Sequence, residues 1–189
     1  MKRAEKIIKK KNKEKNMAKE KILVIVTGGT IDSYYDGTKD TAVPREKSIL
    51  PQFFKVLKLY DDVSFAQVCM KDSRSLTTED RKKIVSTIDS AKEKKIIITH
   101  GTYTMPDTAR YIQANSKRKE TIIILTGSMI PLEGFTPSDA PFNIGYALGR
   151  VNDLKPGIYV AMNGKIFSPE ECVKLLDQGR FGSIFGEKK

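Results

Sequence analysis

Three times in this chain a short β-branched apolar run stops at a glycine flanked by hydroxyl side chains. Ile22–Val26 ends in Thr27-Gly28-Gly29-Thr30, Ile96–Thr99 in His100-Gly101-Thr102-Tyr103, and Thr121–Leu125 in Thr126-Gly127-Ser128. Runs this short and this uniformly apolar suit strands buried on both faces, as in a parallel sheet. Glycine lets the backbone turn sharply there and approach a neighbouring group closely. In open α/β sheets, ligands bind outside the carboxyl ends of the strands. Thr30, Thr102 and Ser128 would all stand along that one edge.

The segments between these runs read as helices and further strands. Ile49–Leu59 has helical apolar spacing with Pro51 in its first turn, and Val63–Met70 reads as a strand. Thr77 or Thr78 can cap a helix to about Lys94, with Ile84, Val85 and Ile88 inward. Pro106 suits the first turn of a helix to about Ser116. Asp139–Val151 reads as a helix and Gly157–Met162 as a strand; Asn163-Gly164 turns the chain back into Lys165–Phe167. Ser168, with Pro169, Glu170 and Glu171 after it, is expected to cap a last helix carrying Cys172 and Lys174. Asp32–Lys47 shows no periodicity and is expected to be a mobile loop beside the site; 131–141 is a Pro-rich loop. Strands alternating with helices imply an α/β fold, a mostly parallel open sheet with helices on both faces.

Charge divides the chain. The formal net charge is +11, of which residues 1–20 carry +6. Those residues read as a basic N-terminal tail, expected to be disordered, ahead of an α/β domain over 21–189. The tail has no aromatic residue to stack on a base, so no specific nucleic-acid partner is expected. No stretch approaches the ~20 apolar residues of a membrane span, and no apolar signal core stands near the start. Cys69 and Cys172 are a lone pair without metal spacing, read as buried free thiols in a reducing cytoplasm.

Hydroxyl nucleophiles need a base. The one histidine, His100, adjoins Gly101 and reads as shaping that turn rather than accepting a proton. There is no G-x-S-x-G elbow, zinc spacing, G-x-G-x-x-G or Walker pattern. A lysine of depressed pKa is the other candidate base, and composition alone selects none.

These loops together resemble bacterial-type L-asparaginases and related glutaminases. The resemblance rests on Thr27-Gly28-Gly29-Thr30-Ile31, Asp72-Ser73-Arg74-Ser75-Leu76-Thr77, His100-Gly101-Thr102-Tyr103-Thr104-Met105, Thr126-Gly127-Ser128-Met129-Ile130-Pro131, Ser138-Asp139-Ala140-Pro141-Phe142-Asn143, and Val160-Ala161-Met162-Asn163 with its spacing to Lys174. It covers residues 21 to about 182 and implies the flavodoxin-like fold of that family's larger, N-terminal domain. It also implies roles: Thr30 as the nucleophile, and Thr102 and Lys174 as a hydroxyl–lysine couple that activates water or relays a proton. Ser73 with Arg74 would bind the substrate carboxylate. Backbone N–H groups at Gly29-Thr30 and Gly101-Thr102 would hold the oxyanion, and the Ser128 carbonyl would receive ammonia. The family's loop tyrosine corresponds to Tyr34 or Tyr35. No cofactor or metal is implied. The expected partners are a small amide substrate and further copies of the chain, as a homo-oligomer.

One position departs from the family pattern. Tyr103 stands where the family has an aspartate that binds the substrate's α-ammonium. A phenol offers one O–H and no charge at neutral pH. The expected function is asparaginase-like hydrolysis of asparagine or a related small amide through Thr30. The alternative is a catalytically impaired member that binds a small metabolite.

Overall fold

The computed structural model describes residues 21–186. The basic tail expected over 1–20 lies outside the described residues.

Strand β1 (Lys21–Gly28) is apolar from Ile22 to Val26 and buried from Ile22 onward. A 3-10 turn at Thr30–Asp32 leads into a hairpin, β2 (Ser33–Asp36) and β3 (Thr41–Pro44). Helix α1 (Leu50–Leu57), strand β4 (Asp62–Lys71) and helix α2 (Thr78–Ser90) follow. Thr77 closes a capping box at the start of α2: its hydroxyl accepts from the Asp80 N–H and the Asp80 carboxylate accepts from the Thr77 N–H. Then come β5 (Lys95–Thr99), α3 (Met105–Asn115), β6 (Ile122–Thr126), α4 (Ala140–Arg150), β7 (Gly157–Met162), β8 (Lys165–Phe167), β9 (Cys172–Leu175) and β10 (Arg180–Ser183).

Six strands form one sheet in the order β4-β1-β5-β6-β7-β8, parallel except for the β7–β8 hairpin. Alternate residues of the central strands feed two cores. Leu23, Ile25, Ile96, Ile98, Ile123, Leu125, Val160 and Met162 pack against α2 and α3. Ile22, Val24, Val26, Ile97, Ile122, Ile124 and Ala161 pack against α1 and α4. Both faces are covered, so a strand with polar alternation could not sit here; this is why the sequence runs read as continuous apolar blocks. The parallel strands have the flavodoxin-like order. The order reverses between β1 and β5, and such a switch point leaves an open crevice at the strand ends. Thr30 and Thr102 follow the two strands that flank it.

Two expectations are corrected. The segment expected as a mobile loop at 32–47 contains the β2–β3 hairpin. Its turn is built by Asp36, whose carboxylate accepts from the N–H and hydroxyl of Thr38. Paired Tyr34-Tyr35 and Ala42-Val43 supply strand-forming residues too few to show a period.

The expected last helix is also absent. Ser168 does open a capped turn, with its N–H given to Glu171 and its carbonyl accepting from the Cys172 N–H. The chain then leaves that turn as β9, pairs with β10, and closes through Gly179 at φ +60°. Capping signals describe a first turn and say nothing of a second. Lys174 and Cys172 therefore lie on a strand, not on a helix. Cys172 is buried as expected, Cys69 is only half-buried, and both thiols are free.

Candidate active site

The three loops meet through their glycines. A Cβ on Gly29 would stand 2.4 Å from the Cα and N of Gly101, and one on Gly101 would stand 2.7 Å from the Ser73 Cβ. A Cβ on Gly127 would stand 2.3 Å from the His100 carbonyl oxygen. No side chain fits at these contacts. The backbones after β1, β5 and β6, and the Ser73 turn after β4, are pressed against one another. Thr27 Oγ1 reinforces the join by donating to the Thr99 carbonyl at 2.8 Å, and the His100 N–H donates to the Thr126 carbonyl at 2.9 Å.

Thr30 opens the 3-10 turn and is half-buried; its hydroxyl has no hydrogen-bond partner among the described residues. Behind it Asp32 is fully buried and accepts from the Ser48 hydroxyl and the Ile49 N–H. Burial pushes its carboxyl up, against the pull of the Ile49 N–H, Ser48 and Arg45. The carboxylate thus fixes the turn that presents Thr30. Gly29 donates its N–H to the Lys71 carbonyl at 2.9 Å. That N–H is not free for a ligand, so the expectation that it holds an oxyanion is corrected. Gly29 instead allows the close approach of two loops. Thr30, Gly101 and Thr102 have no such backbone acceptor among the described residues.

Thr102 is buried, and Lys174 Nζ donates to its Oγ1 at 2.7 Å. Lys174 reaches it from β9, 72 residues away in sequence. Burial lowers the lysine pKa below its ordinary value; Arg74 lowers it further and Asp72 opposes. Both leading causes favour the neutral amine, the form able to take a proton.

Tyr103 lies half-exposed beside this couple. Lys174 Nζ stands 3.9 Å from its ring centroid and the Arg74 guanidinium carbon 4.7 Å. Arg74 grips Asp72 with Nε and Nη2, each at 3.0 Å, which holds the Asp72 carboxyl below its usual range. Ser73 is buried; its carbonyl accepts from the Thr104 hydroxyl at 2.8 Å.

Ser128 is buried, with its hydroxyl donated to the Ile130 carbonyl at 2.6 Å. Asp139 gathers this loop by accepting from the Met129 and Ile130 N–H groups and from the Asn143 side-chain amide. His100 is wholly buried, with Nδ1 against the Gly101 carbonyl at 2.7 Å. Burial drops its pKa to about 4, so it is neutral at pH 7. Tyr34 lies under Arg45, while Tyr35 bonds Asp40 and meets the Phe135 ring edge-on.

The sequence reading assigned no role to Asp32, Asp72 or Asp139. The one local signal was Asp139's place at the start of a helix. The acids' partners lie on other loops or across a turn, and sequence spacing does not display them.

A family model for the asparaginase N-terminal domain matches residues 21–181. The chain belongs to the asparaginase family. Among curated asparaginase relatives, the L-asparaginase of Thermococcus kodakarensis is 32% identical over 148 residues, 77% of this chain and 45% of that protein. The glutaminase-asparaginase of Acinetobacter glutaminasificans is 26% identical over 167 residues, 82% of this chain and 50% of that protein. The thermostable L-asparaginase structure from Thermococcus kodakarensis superposes with TM-score 0.76 at 30% identity, over 87% of this chain and 51% of that one. A probable cytoplasmic L-asparaginase from Campylobacter jejuni gives 0.74 at 28% identity, over 87% and 53%. The chain spans about half the length of the curated relatives it matches.

Proposed function

We propose that this chain hydrolyses the side-chain amide of a small molecule, asparagine or a related amide, to the acid and ammonia, with Thr30 as nucleophile. The observation that carries this reading is the Lys174 Nζ–Thr102 Oγ1 contact at the β1/β5 crevice. There a lysine whose pKa is lowered by burial donates to a buried hydroxyl, and that hydroxyl's loop touches the loop of Thr30.

Thr30 Oγ1 attacks the amide carbon, and its proton passes to the Thr102–Lys174 couple. The carbonyl oxygen becomes an oxyanion facing the N–H groups of Thr30, Gly101 and Thr102; one such donor is worth about 3–4 kcal/mol of barrier. The couple returns the proton to the nitrogen, the C–N bond breaks, and ammonia leaves past the Ser128 carbonyl. An ester on Thr30 remains. Water then gives a proton to the same couple and attacks the ester carbon; the C–O bond to Thr30 breaks and Thr30 regains its proton. The balance is amide plus water to acid plus ammonia. Ser73 and Arg74 hold the far end of the substrate.

Thr30→Ala tests the assignment. Ammonia release should fall by several orders of magnitude in a variant whose circular dichroism is unchanged. Near-normal turnover by that folded variant would sink it.

We further propose a homo-oligomer in a reducing, cytoplasmic setting. The support is the solvent-facing apolar set Phe142, Leu176, Ile184 and Phe185, and two free thiols. Sedimentation at micromolar concentration checks the first point; a monomer with full activity would refute it.

A further inference from the structure

The acids around the site are all engaged. Asp72 receives Arg74 through Nε, Nη2 and the backbone N–H. Asp107, one turn along α3, receives Arg110 Nη2 at 2.8 Å. Asp32 is sealed behind Thr30 by Ser48 and Ile49. Lys174 stands on the Thr102 hydroxyl, and the Tyr103 ring beside it carries both Lys174 and the Arg74 guanidinium, whose Nη1 is uncommitted to Asp72. The local charge of Asp72, Arg74, Tyr103 and Lys174 is positive at pH 7 whenever the lysine is protonated, and never negative.

An ammonium entering here meets the Arg74 guanidinium, and a second cation whenever Lys174 is protonated, but no carboxylate free of a cationic partner. Its one favourable surface, the Tyr103 ring, already carries Lys174 and Arg74. A carboxylate meets the opposite field. It can accept from Arg74 Nη1 without breaking the Asp72 pair, whether or not Lys174 carries a proton.

We propose that Tyr103 determines the substrate class, and that the site takes the monoamide of a simple dicarboxylic acid, with a carboxylate at the far end and no amino group beside it, in preference to an α-amino amide. This rests on the amidohydrolase reading above. The chemistry of the scissile amide is unchanged; only the far end is selected. Tyr103 acts on that end through charge: its ring occupies the faces of Lys174 and Arg74 without neutralising either.

The test compares succinamic acid, asparagine and propionamide as substrates. The wild type should turn over succinamic acid with kcat/KM at least tenfold above both others. Tyr103→Asp should raise kcat/KM for asparagine by about tenfold to a hundredfold, which is about 1.4–2.7 kcal/mol, and lower it for succinamic acid, whose carboxylate the new charge repels. Tyr103→Phe keeps the ring and should keep the wild-type order. Tyr103 is 48% exposed, so all three proteins should fold. A separate arm measures succinate and aspartate binding to Thr30→Ala by calorimetry, with no turnover required. Succinate should bind at least tenfold tighter. Asparagine used as well as succinamic acid, an unchanged substrate ratio in Tyr103→Asp, or aspartate bound as tightly as succinate would each overturn the proposal. If no amide is hydrolysed, the amidohydrolase reading fails, and the binding arm still decides the charge preference by itself.

Discussion

Gly29→Ala is the substitution whose cost the structure fixes most directly. Gly29 has φ +82° and ψ −175°, a backbone conformation open essentially to glycine alone; an L side chain there costs about 1–3 kcal/mol. The new Cβ would also lie 2.4 Å from the Cα and N of Gly101, more than an ångström inside van der Waals contact. Those atoms are backbone, so no rotamer change relieves the overlap, and overpacking of this kind costs about 1–3 kcal/mol. Together the expected loss is about 2–6 kcal/mol. Gly149→Ala is the control, since it makes the same chemical change within exposed helical backbone with nothing within 4 Å of the new methyl. It should stabilise by about 0.5–1 kcal/mol. Urea unfolding followed by circular dichroism measures both. Should the loops separate instead of the fold failing, ammonia release drops about a hundredfold, because a displacement near 1 Å at a reacting centre has that effect. Gly29→Ala within 1 kcal/mol of wild type, with unchanged turnover, would refute the reasoning that these two backbones must touch.

Lys174→Met should lower kcat/KM about 10²–10⁴-fold, the range of positioned proton transfer; if the proposed proton path holds, the wild-type rate should rise with pH along a limb below the ordinary lysine value of 10.5, because burial lowers the lysine pKa and that path uses the neutral amine. Steady-state kinetics from pH 6 to 10 shows both, and an unchanged limb in the variant would remove Lys174 from the proton path. Asp80 is acid-sensitive in the other direction. Burial pushes its carboxyl up, but Lys71 and the N–H and hydroxyl of Thr77 outweigh it and bring it to about 2. A carboxyl depressed in the fold adds stability that is complete above its unfolded pKa, near 4, and is lost as pH falls toward 2. Asp80→Asn should therefore cost about 1 kcal/mol at pH 7 and flatten the acid limb of a melting-temperature profile between pH 4 and 2.

The parallel sheet was legible because both its faces are covered. Ile22–Val26 and Ile96–Thr99 had to be continuous apolar blocks, and their glycine–hydroxyl endings marked the carboxyl edge of the sheet. The positions of Thr30 and Thr102 at that edge were readable from those endings. Lys174 was readable only through its resemblance to a family segment, and its element was misread. Ser168, Pro169 and Glu171 build the same first turn whether or not a helix follows, and only pairing with Arg180–Ser183 decides the outcome. The Asp72–Arg74–Tyr103–Lys174 group was out of reach for a related reason. Three separate elements supply it, and no local pattern encodes which charges end up facing which. Gly29 shows the opposite failure: its place in the motif was visible, but its N–H is engaged by Lys71, 42 residues on in another strand.

The β9–β10 hairpin gives the site an uneven mechanical footing. Thr30 and Thr102 are held by the six-stranded sheet, whereas Lys174 rides on a two-stranded ribbon outside it. That ribbon is fastened by the buried side chains of Cys172 and Phe181, by the Phe181 N–H to Asn163 Oδ1 at 2.9 Å, and by Arg110 Nη1 to the Pro169 carbonyl at 2.8 Å. A two-stranded ribbon outside the main sheet can undock in a local opening that leaves the sheet whole. In hydrogen exchange the amides of 172–183 would then be replaced ahead of those in β1 and β5. Each such opening would part the lysine from its threonine, so under the proposed mechanism the fraction of molecules competent for proton transfer would follow the docking equilibrium of twelve residues rather than the global stability of the protein.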